Sequence, residues 1–569
     1  MSKELSPQLR ALLAGLLSLI VVVGWTMLYK PAKPAPQAPA AQTTSQAPAT
    51  PAPSTAPAAV AAAPAPVSAE TKAAAQEQTI VIENDLYRVE LLSRGGVVRS
   101  WQLKKYFDDN KPPRVLDVVH PDAGRQFDWP FSLALDDPQL ESAANSALYV
   151  TAPGGTTLHA PAEIRFEWSD GHLAVTKRLK FDSSYVVQVE TSVTQDGKPL
   201  AAALAWRGGF GDTTVYAPAE RVQVFSSAAG KLQMLPYKNL GTPDQPAQRQ
   251  RVPVNLDYAG IEDQYFAAAF LSPRQGAVAL THWRLDRDVQ VEGKPAKEPV
   301  AEMAAGGVAP GPFALRVYVG PKDYDELKSL TPPLTDLIQF GWMEIIAYPL
   351  FRLLEWLHGY VANYGWAIVL MTVLINMVLF PLKVKSWRSM QRMQKVAPEV
   401  KAIQERYKKY SMRDPRKQQM NQEVMALYKR EGINPMGGCL PMLLQMPIWF
   451  GLYRMLGVTI ELRHAPWILW IHDLSAREQP FPFLAIVMAL TMYIMQKMTP
   501  TTATDPMQQR MMNMMPLMFA GMFIIFPVSS GLVLYILTSN LVGIAQQWYL
   551  NRTSPVTVAA PRGKNGKKK

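Results

Sequence analysis

Uncharged stretches long enough to cross a bilayer recur along this chain of 569 residues, and no string of soluble domains accommodates them. Positions 11–29 form the first, 19 residues without a charge. At 1.5 Å per residue such a run reaches roughly 28 Å, about the hydrocarbon thickness. Five more follow at about 360–382, 437–460, 481–496, 511–526 and 529–550. Six transmembrane helices are therefore expected, the first standing apart as an N-terminal anchor within 1–30. A cleaved signal peptide is the rival reading of that stretch, but its apolar run is longer than a signal's usual one. A purely soluble enzyme is excluded. Cys439 is the only cysteine, which rules out an intramolecular disulfide framework and any cysteine-rich zinc or redox module.

Behind the anchor, residues 31–78 hold ten prolines and no glycine among Ala, Ser and Thr, too poor in large apolar side chains to bury a core. They read as a semi-extended tether. From 79 to about 330 the period becomes two: Tyr185, Val187, Val189, Thr191 and Val193 alternate with polar or outward-facing neighbours, as in a half-buried strand. Similar runs at 87–92, 175–181, 277–283 and 316–319 are separated by Gly, Pro, Asn and Asp turns, so this segment is expected to be a large all-β sandwich. His120, His159, His172 and His282 are scattered through it, and no pair has metal-ligand spacing on one element; no metal and no cofactor are expected.

Orientation follows from the basic residues of short loops, which resist translocation. The segment 383–435 carries fourteen Lys and Arg against five acids and reads as a cytoplasmic helical hairpin. The tail, 551–569, adds six basic residues and no acid. Both termini are then expected to be cytoplasmic, with the β unit on the opposite side of the membrane. The segment 336–358 is amphipathic and is expected to lie along the membrane surface ahead of a core at 360–550. Anionic lipid or ribosomal RNA would suit the hairpin's basic face, with Arg388, Arg392, Arg406, Lys408, Lys409, Arg413, Arg416 and Lys417 as contacts.

None of the six spans contains Asp, Glu or Lys, and Arg454 is their one formal charge. A carboxylate proton relay, an aspartyl intramembrane protease and a carboxylate ion site are excluded on that ground, and neither Gly-x-Ser-x-Gly nor a Walker loop is present. No catalytic residue is assigned; the molecule is expected to act by offering a surface rather than as an enzyme. Asn376, Gln445, Gln496, Asn540, Gln546 and Gln547 place amides in the spans, where each must face a partner or water. The 16-residue spans at 481–496 and 511–526 reach about 24 Å, so the bilayer should thin beside them. Eleven of the 27 methionines fall between 488 and 522, suiting a surface that accepts varied apolar partners.

Several stretches resemble the signatures of the YidC/Oxa/Alb membrane protein insertases: Asn434-Pro435-Met436-Gly437-Gly438-Cys439-Leu440-Pro441 through Gln445-Met446-Pro447, Trp470-Ile471-His472-Asp473-Leu474, Gln496-Lys497-Met498-Thr499-Pro500, Asp505-Pro506-Met507-Gln508-Gln509 and Ser530-Gly531-Leu532-Val533-Leu534-Tyr535. An exported β-sandwich after an anchor is similar to the Gram-negative form. The resemblance implies a five-helix insertase core around a hydrophilic groove open to cytoplasm and lipid, which inserts and helps fold nascent membrane proteins, alone or with the Sec translocon, with the hairpin engaging the ribosome. It also implies that Asn376, Gln445, Gln496 and Trp548 line the groove and that Tyr535 meets the substrate. The family places a cation where Asn376 stands; Lys383, seven residues on and on nearly the same helix face, or Arg454 on the next span, is expected to supply it, unless Arg454 snorkels outward. Two other classes compete: a solute transporter, opposed by the missing carboxylates, and a membrane-anchored carbohydrate-binding or mutarotase-like protein.

Overall fold

Strict alternation in the sequence becomes strict alternation in burial. Along Leu173–Phe181 every second side chain is buried, and on Val186–Gln195 the buried set is Val187, Val189, Thr191 and Val193. The computed structural model describes residues 70–215, 221–240, 252–253, 256–271, 278–291, 294–307, 309–410, 414–434, 440–478, 481–499, 511, 514–518, 521–523 and 528–553. The anchor, the tether up to residue 69, Arg413, the signatures at 435–439 and 505–509, residues 512–513, 519–520 and 524–526 of the span 511–526, and the tail beyond 553 lie outside the described residues. The tether's last residues already belong to the β unit, because Lys72 N donates to Ser169 O and Ala74 N to Leu148 O at 2.9 and 3.0 Å.

Three sheets are found among the described residues. The ten-stranded one runs, in spatial order, Lys231–Pro236, Gln223–Ala228, Leu256–Glu262, Phe266–Leu271, Phe313–Pro321, Val186–Gln195, Leu173–Phe181, Ala162–Ser169 and Val150–Ala152, with Lys198–Pro199 hairpinned onto Val186–Gln195. A five-stranded sheet built on Thr79–Glu83, Tyr87–Leu92 and Val97–Phe107 packs against it: Tyr87 and Trp101 meet Phe181 at ring-centroid distances of 6.1 and 6.3 Å. A third sheet centres on the hairpin Val278–Val291/Lys294–Gly307. The unit is β-rich rather than all-β. Helices α1 (Pro121–Phe127) and α2 (Pro138–Ser146) interrupt it, each opened by Pro in its first turn, and Asp137 caps α2 through Gln139 N. A short helix α3, Tyr324–Ser329, follows the last strand.

The remaining helices are α4 (Glu344–Val361), α5 (Tyr364–Arg406), α6 (Pro415–Arg430), α7 (Leu440–Val458), α8 (Phe483–Met498) and α9 (Ser530–Thr553). On α4, Ala347, Phe351, Leu354 and Leu357 form a buried stripe at helical spacing, while Trp342 just before it, and Ile345, Trp356 and Tyr360 along it, stand exposed. Asn363 caps α5 by accepting from Trp366 N at 3.2 Å. By length and composition α5 is the one helix among the described residues that can cross a membrane; α8 is apolar but shorter. The boundary expected after Leu382 does not occur. The helix runs on through Pro381 and Pro398 for 43 residues, so span and first hairpin arm are one rod. Its lower half packs on α6 around Met393, Val396, Val400, Ile403 and Leu427, a small core separate from the main one. At the other end of α5, Gly365 lies against Trp467 so closely that any Cβ would overlap the indole.

Candidate functional site

Two helices, α5 and α9, bring amides together around a lysine. Lys383 Nζ, two residues beyond Pro381, donates to Asn376 Oδ1 at 2.6 Å and to Gln546 Oε1 of α9 at 3.2 Å. Gln546 Nε2 returns a bond to Asn376 O at 3.2 Å, and Asn376 Nδ2 donates to Thr372 O at 2.8 Å and Ser539 Oγ at 3.3 Å. Asn376 is fully buried, whereas Lys383 and Gln546 are half-buried. An ammonium has three donors, and two are taken here by neutral oxygens. Among the described residues its bonds go to these two amide oxygens and to no carboxylate. A half-buried cation held only by amide dipoles retains attraction for an acidic group that approaches it. About three turns nearer the start of α9 than Gln546, Gln445 Nε2 of α7 donates to the hydroxyl of Tyr535 at 2.6 Å.

The other amides do something different. Asn540 Nδ2 donates to Thr491 Oγ1 at 3.2 Å, while Gln547 and Asn551 reach Met498 O at 3.5 and 3.2 Å. These bonds join α8 to α9 and account for their amides as helix-to-helix contacts. Gln496 is half-buried on α8, and Trp548 is 56% exposed with the Arg552 guanidinium over its ring. Tyr535 is buried, at 1% exposure. Arg454 is held elsewhere: it donates to Gln339 O at 2.8 Å, ahead of α4, and does not join the Lys383 cluster. On the basic hairpin Arg388, Arg392, Lys408 and Lys409 stand exposed, Lys417 is half-buried, Arg406 is paired with Glu423 at 2.9 Å, and Arg416 pairs with Asp414 and covers the Tyr410 ring.

A second polar assembly, at the junction of the β unit with the helices, was not legible in the sequence. Arg463, just past α7, is buried in an ion pair with Asp212 and donates to Phe107 O at 2.8 Å. Its guanidinium lies over the Phe266 ring at 5.4 Å, and Gln264 Nε2 donates to Gly457 O at 2.6 Å. Partners 251 residues apart leave no local signal of their meeting.

Within the β unit, Lys177 is wholly buried and bonds to Gly95 O and Phe131 O at 2.7 Å each; burial pulls its pKa down to about 7, with nearby Asp128 opposing. Burial likewise raises Glu302 to about 7, although Gly208 N and Trp283 Nε1 donate to it. A cavity of about 430 Å³ opens near Arg207, Trp129 and Asn145, but Arg207 is already engaged by Glu141 at 2.6 Å and Asp128 at 3.5 Å. That leaves it little charge with which to hold a sugar or an anion.

Comparison with known proteins agrees with this architecture. Residues 79–353 match the family described as YidC periplasmic domain, and residues 356–557 the family described as 60Kd inner membrane protein. A membrane protein insertase YidC of Burkholderia cenocepacia is 36% identical over 85% of this chain and 86% of its own length. One from Wolinella succinogenes is 31% identical over 97% of this chain and 96% of its own. A solved structure of an active YidC insertase with its first transmembrane domain resolved covers 85% of this chain and 96% of its own, at 18% identity and a TM-score of 0.34. The chain belongs to the YidC family of membrane protein insertases, inner membrane proteins with a periplasmic β-rich domain.

Proposed function

We propose that this chain inserts membrane proteins by way of a hydrophilic groove whose floor is the Lys383–Asn376–Gln546 cluster and whose wall carries Gln445 and Tyr535. The observation that carries this reading is a half-buried ammonium bonded only to amide oxygens, on helices that otherwise display apolar surface. The polar flank of an incoming chain is solvated partway across the bilayer, with an acidic side chain steered to Lys383. The apolar segment then leaves water for lipid, gaining about 25 cal/mol per Å² buried, and no nucleotide is required. The short α8, 16 residues, supports a locally thin bilayer beside the groove.

In this reading six spans cross the inner membrane, with both termini cytoplasmic. Helix α4 lies in the outer interface with Trp342, Ile345 and Trp356 toward lipid. The hairpin presents Arg388, Arg392, Lys408 and Lys409 to anionic lipid or the ribosome. The exposed Met511, Met514, Met515 and Met518 form an adaptable apolar surface suited to chaperoning helices, alone or beside the Sec translocon. Reconstitution tests it: the purified chain in liposomes should confer protease-protected insertion on a small client without Sec or nucleotide. Equal insertion by empty liposomes would refute the reading, and a strict need for added Sec would confine the chain to an accessory role.

A further inference from the structure

At the junction described above, two distant parts of the chain converge on one point. Asp109 follows the strand Val97–Phe107 of the β unit, while His464 and Asp473 belong to the loop between α7 and α8. One ligand-capable atom from each lies within 4.8 Å of the others: Asp109 Oδ1 is 2.8 Å from His464 Nε2, which is 3.9 Å from Asp473 Oδ2. Around a tetrahedral zinc with ligands at about 2.0–2.1 Å, neighbouring donors stand about 3.3 Å apart, a value these two distances bracket.

The surroundings orient the donors. Asp473 Oδ1 accepts from Ser475 N, Ser475 Oγ and Ala476 N, which turns Oδ2 toward His464. Asp109 N donates to Thr214 Oγ1 at 2.8 Å, and that hydroxyl in turn donates to Asp212. Arg463, whose Nη2 is 3.9 Å from Asp109 Oδ1, would oppose a cation, but its charge is taken up by Asp212. Two carboxylates, with an imidazole that ligates metal through its neutral form, offer a charge of −2 that a divalent ion would cancel. All three side chains keep some exposure, so an ion can enter and a water can complete the shell.

We propose that Asp109, His464 and Asp473 bind a divalent transition-metal ion, zinc foremost because the donor set is mixed N and O, and that the ion staples the β domain to the membrane core. The ligands come from both units, so occupancy fixes their relative position on the periplasmic side.

The test uses the full-length chain with any affinity tag removed, stripped by chelator and then titrated with Zn²⁺. One ion per chain should bind, Co²⁺ should give the visible absorption of a low-coordinate site, and Zn²⁺ should raise the thermal unfolding midpoint. Asp109→Asn and His464→Asn, the latter tolerant of the left-handed backbone at 464 (φ +57°), should each weaken Zn²⁺ binding at least tenfold. Asp473→Asn retains the oxygen that accepts from 475 and 476 and should do the same. The metal-free unfolding midpoints serve as the folding control. Absence of Zn²⁺ binding by the wild type, or equal affinity in all three folded variants, would overturn the proposal.

Discussion

Lys383 Nζ lies 2.6 Å from Asn376 Oδ1, two turns back along the same helix, so the half-buried ammonium rests on a fully buried amide. The seven-residue spacing makes this possible, because two turns bring the side chains to one face, and a long lysine stem can lie back along it. The charge is thus delivered beside Asn376 from a residue two turns further along α5.

Growth of an insertase-depleted strain should therefore depend on Lys383. Lys383→Ala and Lys383→Met should fail to complement, Lys383→Arg should complement at least in part, and Asn376→Ala should weaken growth through loss of an acceptor worth about 1–2 kcal/mol. Arg454→Ala should grow normally, since Arg454 bonds to Gln339 O outside the cluster. Full growth of Lys383→Ala would remove the case for a groove cation there.

Breaking the buried pair at the domain junction should be costly. Arg463→Ala strands Asp212, and removing one partner of a buried pair typically costs about 3–5 kcal/mol. Limited proteolysis should then cut between the β unit and the helices much faster than in the wild type, and Asp212→Asn should show a milder form of this. Unchanged cleavage would mean that the two units are held by other contacts.

Gly365→Ala should destabilise the start of α5 by about 1–3 kcal/mol, because the added methyl overlaps Trp467. Thermal unfolding in detergent reads this directly, and a Gly365→Ala, Trp467→Leu double variant should recover part of the loss.

A pH dependence follows from Glu302. Its folded pKa, about 7, lies above its ordinary value of 4.5, so the folded state holds its proton more tightly than the unfolded chain does. Glu302 therefore favours folding most below pH 4.5, and its contribution declines as pH rises from 4.5 to about 7. Glu302→Gln should flatten the stability profile across that window, measured as unfolding midpoint against pH. An identical slope in variant and wild type would contradict the assignment.

Much of this was legible in residues of strong local signal. The alternation at 185–193 reads directly as a buried sheet face because a strand exposes only one side. The amides were visible as polar residues that must be satisfied, but not which of them surround a cation and which join α8 to α9, since that depends on helix rotation. Pro381 and the charges after it suggested a helix end, yet the rod continues because packing on α6 supports its lower half. Arg463 carries no local signal of its role; its partner Asp212 lies in the other unit, and only the assembled fold brings them together.

Site-specific photocrosslinking to a ribosome-stalled membrane protein tests the central claim most directly. Probes at Gln445 and Gln546, half-buried beside Tyr535 and Lys383, should capture the nascent chain, whereas a probe at Leu490, 58% exposed on α8, should capture chiefly lipid. Strong capture from Leu490 with none from Gln445 or Gln546 would show that clients pass along the outer apolar face and that the amide-bound lysine is no groove.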